Sequence, residues 1–316
     1  MLEILAITGP IYFCIAVGFA VTRGGLFTKA DMRVLGKFVI NLGLPALLFN
    51  AVSQRPLREV MQADYLAAYA LGSMAMLLGG YAWARYVVRS APGYQAYVAM
   101  GMSCSNSGYM GYPVAMLALG PVAGLALALN MVVENMLKLP LLLTLAEADG
   151  SARGHWRKEL GQTLVRLLKN PMIVAILLGF AYSLSGWHLP GPVERTINLF
   201  AQASSALALS VIGGTLVGLQ VKGMGRQVAS IAFGKLILHP LAVLLVATWI
   251  VSVADPQLRL AAVLFAAMPM LGIYPLLAQK HGHEEISAAA LLFTTVASFF
   301  TLSGLLWLFR HTAFLG

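Results

Sequence analysis

Polar side chains and chain-breaking residues occur together at two places where the flanking sequence is apolar enough to cross a bilayer. Ser103–Pro113 reads S-C-S-N-S-G-Y-M-G-Y-P, and Met268–Pro275 reads M-P-M-L-G-I-Y-P. Gly and Pro weaken or remove the backbone hydrogen bonds that make a helix tolerable in lipid. Broken backbone at that depth persists only where it is buried in protein or lines a wet cavity. In the first break, Ser103, Ser105, Asn106 and Ser107 bring hydroxyl and amide groups, followed by Gly108, Gly111 and Pro113. Unwinding there frees N–H groups, and a half-helix starting near Pro113 turns its positive end inward, a combination that suits a carboxylate. The serines also suit close helix packing, so both readings stand for them. The second break has Pro269, Gly272 and Pro275 but few polar side chains, leaving contacts to backbone and to Met268, Met270 and Ile273. Tyr109, Tyr112 and Tyr274 either flank a ligand or pack as aromatics.

Ionisable residues inside apolar runs are rare unless they have a job. Asn130, Glu134 and Lys138 recur every four residues and share a helix face, with Asn135 adjacent. Glu134 and Lys138 either neutralise one another as an i, i+4 pair or belong to a charge-coupling site. Lys235 and His239 form a second such pair; Lys235 either snorkels to the surface or supplies positive potential to an anion, and His239 is a proton-linked or simply packed imidazole. Asn41 and Asn50 flank Pro45 in one span, and Gln202, Ser204, Ser205 and Ser210 mark another; these suit a ligand route or small-residue packing. His281-Gly282-His283-Glu284-Glu285 lacks the H-E-x-x-H spacing of a zinc protease and is read as a loop, so no metal site is expected. Cys14 and Cys104 fall within apolar runs and are expected to be unpaired. An intramembrane enzyme would need a nucleophile beside Glu134–Lys138 or Lys235–His239, and none is credible. No P-loop is present, so a primary ATP-driven pump would need a separate subunit.

The elements that carry these residues follow from composition. Of 316 residues, 59% are hydrophobic and 10% charged, with mean hydropathy +0.80. Soluble domains carry about 25% charged residues, so this is a membrane protein whose solvent is the bilayer. The net charge of +9 resides in short loops, which indicates inner-leaflet anchoring and not nucleic acid. A ruler of about 20 residues per span yields ten segments, roughly 3–22, 34–53, 64–88, 94–117, 121–145, 171–187, 195–219, 227–253, 258–279 and 285–309. The first lacks a basic leader and reads as a retained helix. With the N-terminus outside, inner loops hold 14 of the 21 Lys and Arg and outer ones 5, which places both termini outside.

The two halves repeat. Pro10 precedes Gly18-Phe19-Ala20 as Pro171 precedes Gly179-Phe180-Ala181, an offset of 161, and Tyr112-Pro113 matches Tyr274-Pro275 at 162. Residues 1–145 and 171–316 are therefore read as five-helix repeats joined by a cytoplasmic linker, 146–170. Five spans per repeat force the second half to enter from the opposite side. This gives an all-α membrane protein of ten transmembrane helices in a 5+5 inverted-topology repeat. Interrupted helices at matching positions of such repeats point to a transporter's substrate site.

These residues resemble the auxin efflux carrier family, which includes short bacterial members described as malonate or malate transporters. The resemblance spans essentially the whole chain. It is carried by N-L-G-L-P-A-L-L-F (Asn41–Phe49), N-S-G-Y-M-G-Y-P (Asn106–Pro113), K-N-P (Lys169–Pro171) and A-M-P-M-L-G-I-Y-P-L-L-A-Q-K (Ala267–Lys280). It implies a bile-acid-symporter-like fold in which helices 4 and 9 cross at their breaks, spans 1, 2, 6 and 7 form a scaffold, and the remainder moves. It also implies substrate roles for Asn106, Pro113 and Pro275, a homodimer formed through the scaffold, and the inner membrane of a bacterium. The long hydrophilic loop of many plant carriers is absent. The expectation is a secondary transporter of small organic anions, by efflux or exchange, without a cofactor but open to proton or sodium coupling. Its alternatives are an anion channel or ligand sensor on the same fold, or a sodium-coupled symporter. The substrate set is Ser105, Asn106, Gly108, Tyr109, Tyr112, Pro113, Met268, Pro269, Ile273, Tyr274, Pro275, Asn135, Asn41 and Gln202; Glu134, Lys138, Lys235 and His239 form the charge set.

Overall fold

The computed structural model describes residues 2–55, 59, 62–147, 169–219, 225–279 and 283–311, and every regular element among them is helical. The helices are α1 (Leu2–Arg23), α2 (Lys29–Ser53), α3 (Ala63–Tyr86), α4 (Pro92–Ser103) and α5 (Tyr112–Leu119). Next come α6 (Val122–Val133, continued through Glu134–Lys138 into Leu139–Glu147), α7 (Pro171–Ser185) and α8 (Gly191–Thr215). The last four are α9 (Gly225–Ile250), α10 (Pro256–Ala266), α11 (Tyr274–Gln279) and α12 (Glu284–His311). Seven of them are long and apolar enough to cross a membrane, namely α1, α2, α3, α6, α8, α9 and α12. Of the other predicted spans, the sixth is the 15-residue apolar helix α7, and the fourth and ninth are each split in two. Several helices start a few residues before the predicted spans because polar caps extend them. Thr28 and Asp31 form a capping box at α2, and Asp255 accepts from Gln257 and Leu258 at the start of α10; Asn170 caps α7 at the predicted start, Pro171. Most of the predicted linker lies outside the described residues.

Proline explains where the helices loosen. The π-helical turns Val39–Gly43, Ser107–Gly111, Glu134–Lys138 and Gly234–Leu238 each end two residues before a proline: Pro45, Pro113, Pro140 and Pro240. A proline ring presses on the carbonyl four residues back and offers it no N–H, and widening the preceding turn relieves that clash. Glu134, Lys138 and Lys235 all lie in such turns.

Packing divides the helices into two groups. Helix α8 lies against α1 and α2, and α7 lies along the second half of α2. Helices α3, α4, α9, α10 and α12 pack mainly among themselves, with α6 between α2 and α3. Lipid gives little hydrophobic drive to helix association, so close backbone approach matters. At the α1–α8 crossing, a Cβ on Gly18 would strike the Ser210 carbonyl, and one on Gly213 would strike the Ile15 carbonyl. Gly179 occupies a similar place on α7, where a Cβ would lie 3.1 Å from the Phe49 carbonyl oxygen of α2. The two repeated Gly-Phe-Ala triplets thus seat two helix crossings.

Candidate functional site

The two breaks meet backbone to backbone. Helix α4 stops at Ser103, Cys104 turns extended, and the Asn106 N–H donates to the Pro269 carbonyl at 2.8 Å. Ser105 and Met270 form an isolated antiparallel bridge. Beyond the junction the chain becomes helical again at Ser107, with the Asn106 carbonyl accepting from Met110 and Gly111. Asn106 is therefore the N-cap of the second half-helix, yet its side chain makes no capping bond. The first N–H groups of a helix have no intrahelical acceptor, so this terminus stays electropositive and uncapped. The Asn106 side chain has no hydrogen-bond partner among the described residues and is 6% exposed. Small residues let the junction close: a Cβ on Gly108 would lie 2.8 Å from Leu44 Cδ1, and one on Gly111 2.7 Å from Phe265 Cδ1.

Each serine of S-C-S-N-S ties the junction to a buried ionisable side chain. The Ser103 carbonyl accepts from Lys138 Nζ at 2.6 Å. Ser105 Oγ accepts from Lys235 Nζ at 3.0 Å. Ser107 Oγ donates to Glu134 Oε1 at 2.8 Å, and Tyr69 donates to the same oxygen at 2.9 Å. Lys138 also pairs with Glu134 at 3.8 Å and lies 5.3 Å above the Tyr69 ring. Lys235 further donates to the Ala266 carbonyl at 2.6 Å and meets His239 Nδ1 at 3.1 Å, while His239 Nε2 lies 2.9 Å from Ser73 Oγ. Lys138, Lys235 and His239 are fully buried. An ammonium has three donors, and Lys235 meets three acceptors, so no N–H of it is left for a substrate.

Not every predicted residue joins this cluster. Met268, Pro269, Gly108 and Pro113 are buried at the breaks. Tyr109 donates to the Gly36 carbonyl, and Tyr112 is half-buried at the start of α5. Tyr274 is buried but gives its hydroxyl to the Tyr97 carbonyl, Pro275 is half-buried beside it, and Ile273 is exposed. Asn135 bonds the Met131 carbonyl and Asn170, Asn41 bonds the Lys37 carbonyl on an exposed face, and Gln202 is exposed. Lys280, His281 and Gly282 of the last predicted loop lie outside the described residues. Among the described residues no three His, Cys, Asp or Glu side chains gather as a metal site.

Tyr65, Tyr69 and Ser73 were not singled out by the sequence, although they line one face of α3. Tyr65 donates to Asn130 and Tyr69 to Glu134, each pair 65 residues apart. That constant separation marks parallel helices in register. The available signal was their four-residue spacing, which matches that of Asn130, Glu134 and Lys138.

With seven bilayer-length apolar helices among the described residues, every regular element there helical, and two broken helices joined at a buried charged junction, this is a multi-pass membrane protein. The family model described as membrane transport protein matches residues 7–307. The chain belongs to that family, the auxin efflux carriers. Among its relatives, a protein of Rhizobium meliloti (strain 1021) named "Putative malonate transporter" is 30% identical over 99% of this chain and 98% of its own length. The "Uncharacterized transporter YfdV" of Escherichia coli (strain K12) is 28% identical, over 75% of this chain and 76% of its own length.

Proposed function

We propose that this protein is a secondary carrier, not an enzyme, that moves small organic anions by alternating access. The observation that carries the reading is the uncapped half-helix N-terminus at Ser107 with the uncommitted Asn106 amide beside it. Oriented N–H groups at a helix start favour a carboxylate, and an interrupted helix is where such carriers place their substrate. Malonate, malate and auxin-like acids are the substrate class, with malonate first because of the relative's name.

In this reading residues 1–145 and 171–316 are inverted five-helix repeats joined by 146–170, and the two broken helices cross at their junction. Helices α1, α2, α7 and α8 are the fixed scaffold, and the remainder moves against it as an efflux or exchange carrier. The protein sits as a homodimer in a bacterial inner membrane with both termini outside. Thermal-shift titration with mono- and dicarboxylates tests the substrate class. Dicarboxylates are expected to raise the melting temperature and Asn106→Ala to abolish the rise in a folded protein; stabilisation by neutral or cationic solutes alone would overturn the reading.

A further inference from the structure

We propose that Lys138 and Lys235 are resident cations, each occupying the place at a half-helix C-terminus where a coupling sodium ion would bind, so that transport is sodium-independent. Only the link to coupling rests on the carrier reading above; the geometry stands without it. Helices α4 and α10 end inside the protein, at Ser103 and Ala266. Their last carbonyls carry the negative end of the helix dipole, roughly half a charge each. In carriers built from interrupted helices such ends coordinate sodium or a proton. Here each end meets an ammonium at 2.6 Å, Lys138 on Ser103 and Lys235 on Ala266. Lys138 adds the Glu134 carboxylate, and Lys235 adds Ser105 Oγ and His239 Nδ1. A tethered ammonium satisfies the same dipole as a bound ion but cannot leave with the substrate.

The two positions differ in what they would become without their lysine. Removing Lys138 leaves the Glu134 carboxylate beside the Ser103 carbonyl, with the Ser107 and Tyr69 hydroxyls attached to it. That is an all-oxygen, anionic set of the kind a small hard cation takes. Removing Lys235 leaves one carbonyl, one hydroxyl and an imidazole nitrogen, with no carboxylate in contact.

The test is the melting temperature of the full-length protein in detergent, in sodium chloride against choline chloride at equal ionic strength, each with and without malonate. The wild type is expected to melt alike in both salts. Lys138→Ala is expected to melt lower in choline and to recover saturably with sodium, and Lys235→Ala to melt lower in both salts alike. Saturable sodium stabilisation of the wild type would overturn the proposal, as would a Lys138→Ala protein that ignores sodium. Should Lys138→Ala fail to accumulate, Lys138→Ser provides a small oxygen ligand and is read by the same criterion, and the wild-type arm decides alone. Absence of malonate stabilisation in every salt counts against the substrate reading and leaves this proposal in place.

Discussion

Replacing Lys235 with Met keeps the apolar stem and removes three N–H donors at once. Ser105 Oγ can rotate and the His239 ring can change tautomer, but the Ala266 carbonyl is fixed at the end of α10 and loses its 2.6 Å bond from the ammonium. Taking one member from a buried charged network costs about 3–5 kcal/mol. At about 2–4 °C per kcal/mol for chains of this size or somewhat smaller, Lys235→Met melts roughly 10 °C below the parent. The assay is apparent thermal unfolding in detergent at one fixed scan rate, followed by intrinsic fluorescence. Ser105→Ala removes only one of the three acceptors and costs about 1.5–3 kcal/mol, the range for a bond to a charged group. The two changes share one interaction, so the double variant is less damaged than the sum by about 1–2 kcal/mol. A Lys235→Met protein that melts within about 2 °C of the parent, a shift worth under about 1 kcal/mol, would refute the reasoning. So would strict additivity, because either result removes the ammonium from the junction's support.

Tyr69→Phe deletes one of two hydroxyl donors to Glu134 Oε1; a loss of about 1–3 kcal/mol is expected, checked by the same melting assay, and combining it with Ser107→Ala should cost more than either change alone. Gly213→Ala drives a Cβ into the Ile15 backbone and is expected to cost several degrees or to prevent accumulation. Gly79→Ala, with nothing within 4 Å, is neutral or stabilises α3 by up to about 1 kcal/mol. In proteoliposomes, external unlabelled malonate should drive counterflow of labelled malonate; linear, non-saturating flux without counterflow would indicate a channel.

The breaks were legible because Gly and Pro stand out within apolar runs, and the face shared by Asn130, Glu134 and Lys138 was legible because helical spacing fixes it. What those side chains touch was harder to read. Ser103 and Ala266 act through backbone carbonyls, which leave no trace in residue identity. Tyr65 and Tyr69 resemble packing aromatics until Asn130 and Glu134 are placed opposite them. Asn41 and Asn135 stand out as polar groups in apolar runs, but each bonds a carbonyl four residues back on its own helix. Such a residue can satisfy itself locally, so polarity alone did not tell which face it serves. The π turns were readable in principle, since four of them lie directly upstream of a proline.

The most direct test of the central claim is equilibrium binding of labelled malonate to the purified protein, with Asn106→Ala measured beside it under conditions where both remain folded. The account predicts saturable binding, displaced by other small carboxylates and abolished by Asn106→Ala. Malonate binding of equal affinity in the Asn106→Ala protein would contradict it and move the anion site away from the junction of the two broken helices.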